Sequence, residues 1–309
     1  DLLQAFAALG LELEVSSCEM MLGGTLYRLG EYQRARDAFA SARARIAPLG
    51  FHEEVASCDS NLVAIYLAIS ENQLALASLE SAREFYLAEG DDKLAADCET
   101  RIAEGYFELS QFGPAREYWN LALTRYRALG REYETALCGA ALGVVTFQMG
   151  EAQQALAWLS GAREVFIAGV ADEDIAECDL NLGNAYRALG DYPSALEATR
   201  RARDVFTILA DAAHVADCDK NLGVIYREQA DFSRAEESYL RARSTFARLG
   251  RAKDVADCDM NLGGLYSTFF DHSRAVECLT RARAGYALAG NRLDVVRCDW
   301  NLGVTLLEE

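Results

Sequence analysis

Residues 175–210 read IAECDLNLGNAYRALGDYPSALEATRRARDVFTILA, and their apolar period is helical twice over. Ile175, Cys178, Leu182, Ala185 and Tyr186 recur at steps of three and four, which places them on one face of an α-helix. Ala195, Thr199, Ala202 and Phe206 do the same, so two helices are expected. The break between them is Gly190, Asp191, Tyr192 and Pro193: Gly can end one helix, an acidic residue can cap the next, and Pro fits its first turn. A second break follows Leu209, where the corresponding ends elsewhere carry Gly50, Gly90, Gly130, Gly250 and Gly290, with Val170 and Ala210 as the exceptions.

The stretch is one copy of a repeat. Cys18, Cys58, Cys98, Cys138, Cys178, Cys218, Cys258 and Cys298 recur at one constant interval, which marks a repeat array and not a disulfide framework; Cys278 lies outside the series. The chain parses as repeats 11–50, 51–90, 91–130, 131–170, 171–210, 211–250 and 251–290, with partial copies at 1–10 and 291–309 forming part of a single array over 1–309. In the leading copy Phe6, Leu9 and Gly10 align with Ile46, Leu49 and Gly50. Both ends cut through the repeat, so the chain reads as a piece of a longer protein.

Composition bounds what such an array does. Of 309 residues 51% are apolar and 25% charged, enough to bury a large core and too apolar for a disordered chain. No run of 18 uncharged apolar residues suggests a membrane-spanning helix. Forty-eight acidic against 30 basic residues give a net charge of -18, which disfavours nucleic acid and anionic membranes as partners.

A helix pair cannot hide its apolar face alone, and stacking successive pairs yields one continuous core. Small residues set the spacing. Ala35, Ala75, Ala115, Ala155, Ala195, Ala235 and Ala275 never vary, nor do Ala42, Ala82, Ala122, Ala162, Ala202, Ala242 and Ala282. A larger side chain there would push helices apart in every copy.

The residues resemble tetratricopeptide repeats. The pattern L-G-x2-Y, then Ala, a large residue and Ala stands as Leu222, Gly223, Tyr226, Ala235, Tyr239 and Ala242, and again as Leu262, Gly263, Tyr266, Ala275, Leu279 and Ala282. Two features depart from it: Asp179, Asp219 and Asp259 replace the family Trp, and the closing Pro is absent. The 40-residue unit with Asn before Leu-Gly is similar to Leu-Gly-Asn repeat proteins, kinesin light chains, and bacterial tetratricopeptide sensors and effector-linked arrays. The resemblance implies an all-α, right-handed αα superhelix, a tetratricopeptide solenoid of about seven helix-turn-helix repeats plus partial repeats at both ends, whose first helices line a concave groove that holds a peptide.

At about 100° per residue, Val215, Cys218, Leu222 and Tyr226 share one face, and Ala216 and Gly223 lie nearly opposite. Both must pack. Asp217, Asn221, Val224 and Glu228 fall on the flank between them, the one with polar atoms free to meet a ligand. Asn recurs there at Asn61, Asn181, Asn221, Asn261 and Asn301, with Asn184 one turn from Asn181. An amide offers donors and an acceptor to a peptide main chain of any sequence; alternatively it satisfies local backbone or a neighbouring helix. One turn earlier stand Asp97, Glu177, Asp217 and Asp257, which would favour a basic or neutral segment or else form a solvated acidic flank. The family's carboxylate clamp finds only Lys220 and Arg297. Trp300, beside Asn301, reads equally as a peptide anchor or as a residue exposed by the cut.

A second acidic row, Glu19, Asp59, Glu99, Asp179, Asp219, Asp259 and Asp299 with Gly139 as its gap, is expected to pair with Arg43, Arg83, Arg163, Arg203, Arg243 and Arg283 and to hold the stacking register. The Cys column is expected to stay reduced, because axes of packed helices lie about 8–10 Å apart and a disulfide needs Cα atoms within about 4.4–6.8 Å. Such thiols act as small apolar filler and suit a cytoplasmic location.

No catalysis is expected. His52, His214 and His272 occupy three different repeat positions, and the chain has no His-Glu-x-x-His, no phosphate-cradling Gly-rich run and no Cys-x-x-Cys. No metal or other cofactor is implied. Two readings remain: a scaffold that binds a partner's segment in its groove, and a regulatory or sensor array governing an attached effector domain. Uncapped ends leave end-to-end self-association open.

Overall fold

A computed structural model describes residues 11–69 and 71–307; the expectation for Phe6, Leu9 and Gly10 lies outside them. Among the described residues the regular structure is helical: α1 Glu12–Arg28, α2 Tyr32–Ile46, α3 His52–Ala68, α4 Asn72–Glu89, α5 Asp92–Glu108, α6 Phe112–Ala128, α7 Glu132–Gln148, α8 Ala152–Gly169, α9 Asp172–Ala188, α10 Tyr192–Ile208, α11 Ala212–Glu228, α12 Phe232–Arg248, α13 Ala252–Thr268, α14 His272–Leu288 and α15 Arg292–Leu307. A single 3-10 turn, Ala47–Leu49, follows α2. Corresponding helices begin at the same position of every repeat, in phase with the sequence period.

The chain divides into two compact units, Asp1–Met149 and Gly150–Glu309. Within each, every helix packs on the next in chain order, and first helices also touch the first helices of adjacent repeats, as α9 does α11 and α11 does α13. This is the stacking of an α-solenoid, and among the described residues it comprises seven helix pairs followed by one further helix.

The turns follow the residue chemistry. Gly190 takes φ 78° to end α9, Asp191 accepts from the Ser194 N–H to cap α10, and Pro193 occupies its first turn. Asp91, Asp211, Asp231 and Asp271 cap their helices in the same way. The two exceptions to glycine, Val170 and Ala210, keep the left-handed backbone at φ 56° and 58° and so carry strain that glycine would not.

Small side chains sit where helices meet most closely. All fourteen invariant alanines are buried. A Cβ on Gly223 would come within 2.6 Å of the Tyr239 ring, one on Gly183 within 2.3 Å of Thr199 Oγ1, and one on Gly263 within 2.6 Å of Leu279. First and second helices of a repeat thus approach as far as backbone allows. The space between repeats is filled by a recurring cluster: Ala176, Ala202, Phe206 and Cys218; then Ala216, Ala242, Phe246 and Cys258; then Ala256, Ala282, Tyr286 and Cys298. Each cysteine plugs the cavity left by two alanines and an aromatic ring of the preceding repeat.

Candidate functional site

The polar flank emerges as the periodicity predicts. On α11, Cys218, Leu222 and Tyr226 are buried on one side and Ala216 and Gly223 on the other, whereas Asp217, Lys220, Asn221 and Val224 are only half-buried and Glu228 is exposed. Asn181, Asn184, Asn261, Asn301 and Asp257 are half-buried likewise, and Glu177 is exposed. Two bonds join α9 to α11 along this flank: Asn221 Nδ2 donates to Asn184 Oδ1 at 3.0 Å, and Arg187 donates to Glu228 at 2.8 Å.

The amides do not all behave alike. Asn61 and Asn181 donate to backbone carbonyls four residues earlier, Ser57 and Glu177, which is the local role. Asn221 bonds across repeats. The side chains of Asn261 and Asn301 make no hydrogen bond among the described residues.

Three of the four carboxylates one turn earlier already have partners. Asp97 meets Lys93 at 2.6 Å and accepts from the Tyr126 hydroxyl at 2.6 Å. Asp257 accepts from Tyr286 at 2.5 Å and lies 3.4 Å from Lys253. Asp217 pairs with Lys220 at 3.0 Å and Arg251 at 3.2 Å. Burial, then the bond to Asp97, push the Tyr126 hydroxyl up, and burial followed by Asp257 does the same to Tyr286, so both remain donors. Sequence reasoning missed the bonds from Tyr126, Tyr286 and Arg251 because those residues belong to later helices and turns. The clamp cations are engaged too: Lys220 by Asp217 and by Asp254 at 3.9 Å, Arg297 by Asp294 at 2.8 Å.

The second acidic row does what its spacing predicts. Arg43 bonds Asp59 at 2.6 Å; Arg83 bonds Glu99, Arg163 Asp179, Arg203 Asp219 and Arg243 Asp259, each at 2.8 Å; and Arg283 bonds Asp299 at 2.5 Å. Each pair ties a second helix to the first helix of the next repeat. The gap falls on both partners, since Leu123 stands in the Arg position and Gly139 in the acidic one. A further row was not anticipated: Arg201, Arg241 and Arg281 reach Asp179, Asp219 and Asp259 from the second helix of the same repeat, at 2.7, 3.3 and 3.2 Å. Its sequence signal is Arg-x-Arg at 201/203, 241/243 and 281/283; in the first unit Ser41 and Ser81 take that place, donating to Glu19 and Asp59.

All nine cysteines are free. Burial pushes the thiols of Cys58, Cys178, Cys218 and Cys258 up to about 12 and those of Cys98 and Cys138 to about 11, so they stay protonated and unreactive near neutral pH. Among the described residues no group of three or more His, Cys, Asp or Glu side chains could hold a metal ion, and no helix is long and apolar enough to cross a membrane.

The tetratricopeptide repeat family matches residues 133–208 and 172–248. Residues 133–248 thus carry tetratricopeptide-like repeats within an all-α repeat array. Among solved structures, the apo form of RapI superposes with a TM-score of 0.71 at 14% identity, over 93% of this chain and 98% of that one. A tetratricopeptide repeat protein from Parabacteroides merdae gives 0.68 at 14% identity, over 94% and 98%. A signal transduction ATPase with a tetratricopeptide repeat sensor from Pyrococcus horikoshii gives 0.61 at 16% identity, over 96% of this chain and 42% of that chain. At such identities the likeness is one of fold. No curated protein matches the chain in sequence.

Proposed function

We propose that the array captures an extended segment of a partner protein along the polar flank of α9, α11 and α13, continued onto α15. Asn181, Asn184, Asn221, Asn261 and Asn301 would pair with the segment's main chain, with Glu177, Asp217, Lys220 and Asp257 beside them. The carrying observation is the amide pair Asn184–Asn221, which spans adjacent repeats on a half-buried polar strip and leaves each amide further donors or acceptors. A repeated surface suits a long ligand better than a single reactive centre. The net charge of -18 and the engagement of Lys220 and Arg297 favour a basic or neutral segment. The Asn before Leu-Gly supports a resemblance to Leu-Gly-Asn repeat proteins, kinesin light chains and bacterial tetratricopeptide sensors or effector-linked arrays, and nine unpaired cysteines suit a reducing cytoplasm.

The test is a peptide array followed by Asn221→Ala with Asn261→Ala. Binding of the selected peptide should weaken by about tenfold or more, as expected when two hydrogen bonds of about 1 kcal/mol each are lost; retained affinity defeats the reading. A second reading, a sensor governing an effector, draws on the likeness to the Pyrococcus horikoshii ATPase, where the matching part is less than half of the chain. An ATPase, protease or DNA-binding domain joined to this array in its gene would favour it.

A further inference from the structure

Two bonds close the polar strip between α9 and α11, and their offsets fix where the same bonds would fall between α11 and α13. Asn221 bonds Asn184 at an offset of 37 residues, and Arg187 bonds Glu228 at an offset of 41. One repeat further on, the first offset joins Asn261 to Val224 and the second joins Arg227 to Thr268. Val224 has no polar side-chain atom, and the Thr268 hydroxyl donates to the Gly264 carbonyl at 3.0 Å. Neither bond forms. Asn261 and Arg227, both half-buried, make no side-chain hydrogen bond or ion pair among the described residues.

The strip between α11 and α13 therefore offers donors without matching acceptors. Arg227 presents N–H groups in a fixed fork and a charge that is never lost. Its sister Arg187 also stands in the last turn of a helix, where a cation complements the dipole, and does so while holding Glu228. The Tyr239 ring lies against Gly223, one turn before Arg227, and its buried hydroxyl has no hydrogen-bond partner among the described residues. Burial pushes that hydroxyl up to about 12, so it too remains a donor near neutral pH, and of the charges acting on it Arg227 is the strongest. Gly264, one turn from both Asn261 and Thr268, faces open space: a Cβ there would meet nothing within 4 Å. A ligand's main chain can come close to α13 at that point.

We infer that Arg227 takes a carboxylate from the captured segment, an Asp or Glu side chain or a chain end, in the place that Glu228 fills for Arg187, while Asn261 pairs with the segment's main chain. This rests on capture of a segment along the flank and adds one requirement to it: the segment, neutral or basic elsewhere, is acidic at a single position. Thr268, opposite Arg227, follows Asn261 by seven residues, about 10 Å along the helix axis. An extended chain covers that distance in about three residues. A charged, forked bond of this kind selects a side chain, whereas the amides read only the main chain.

The experiment uses the whole chain and an array of short acetylated, amidated peptides of Ala and Ser, with one Glu or one Gln moved through every position. In calorimetric titration the best Glu peptide should bind about tenfold or more tighter than its Gln counterpart, as expected of a hydrogen bond to a charged group, and in Arg227→Gln the two should differ by about twofold or less. Thr268→Glu installs at an exposed position the acid that Glu228 supplies one repeat earlier, so it should pair with Arg227 and likewise erase the preference. Both variants should keep the helical circular dichroism. The Gln peptide with a free C-terminus separates the sources: recovery of the Glu peptide's affinity marks a chain end, and no recovery a side chain. Asn221→Ala with Asn261→Ala should weaken Glu and Gln peptides alike. Equal affinity of Glu and Gln peptides, or a preference for Glu that survives in a folded Arg227→Gln chain, would overturn the carboxylate site, and the flank would still stand if the paired Asn substitution weakens both peptides. Failure of every peptide to bind would defeat both.

Discussion

Val170 is a β-branched residue held at φ 56° and 78% exposed, so its side chain contributes little packing to offset a backbone that glycine adopts freely. Val170→Gly should raise stability by about 1 kcal/mol, read as a rise of roughly 2–4 °C in melting temperature. Gly223 is the opposite case: its negative φ suits any residue, but the fully buried Tyr239 ring occupies the space a methyl group would need. Gly223→Ala should cost about 1–3 kcal/mol through overpacking, checked by urea unfolding. The buried thiols make a third prediction. With their titration pushed to about 11 or 12, Cys98, Cys138, Cys178, Cys218 and Cys258 should not react with a thiol reagent at pH 8 until the chain is denatured, while the half-buried Cys18 should react in the native chain.

Between helices, directional bonds set the register that nondirectional packing leaves loose. Asp179 is held by Arg163 from the preceding repeat and Arg201 from its own, with both oxygens of the carboxylate used by each. A slip of one helix by a turn would leave that buried carboxylate unpaired. Asp219→Ala removes the same kind of clasp from Arg203 and Arg241, whose side chains are 33% and 41% exposed and can fall back on water. The loss should therefore be about 1–3 kcal/mol, less than for a fully buried pair, seen as a lower melting temperature with unchanged affinity for a captured segment. An unchanged melting temperature would show that the row does not hold the stack.

Across the molecule, the excess of acid decides which partners approach. If the captured segment is basic, a tenfold rise in salt should weaken it by slowing association, because added ions shorten the reach of the field that attracts it; a neutral segment held through its main chain should respond little. Stopped-flow association rates at low and high salt distinguish these cases. Asp97, Asp217 and Asp257 contribute less to that field than their number suggests, since Lys93, Lys220, Arg251 and Lys253 stand against them.

The repeat period, the two helices per repeat, the Gly and Asp punctuation and the buried alanine and cysteine columns were legible in the residues because each rests on local geometry: the pitch of a helical turn, a left-handed backbone angle, a cap close in sequence to the N–H it accepts from. The pairing of Arg203 with Asp219 was legible too, since strict phase turns a contact between repeats into a constant offset along the chain. What required the tertiary structure was the competition for each polar group. Whether Asn181 serves its own helix while Asn221 crosses to Asn184, and whether Asp257 is met by Tyr286, both depend on side chains brought together from several helices, and no period in one dimension specifies which of them arrives first.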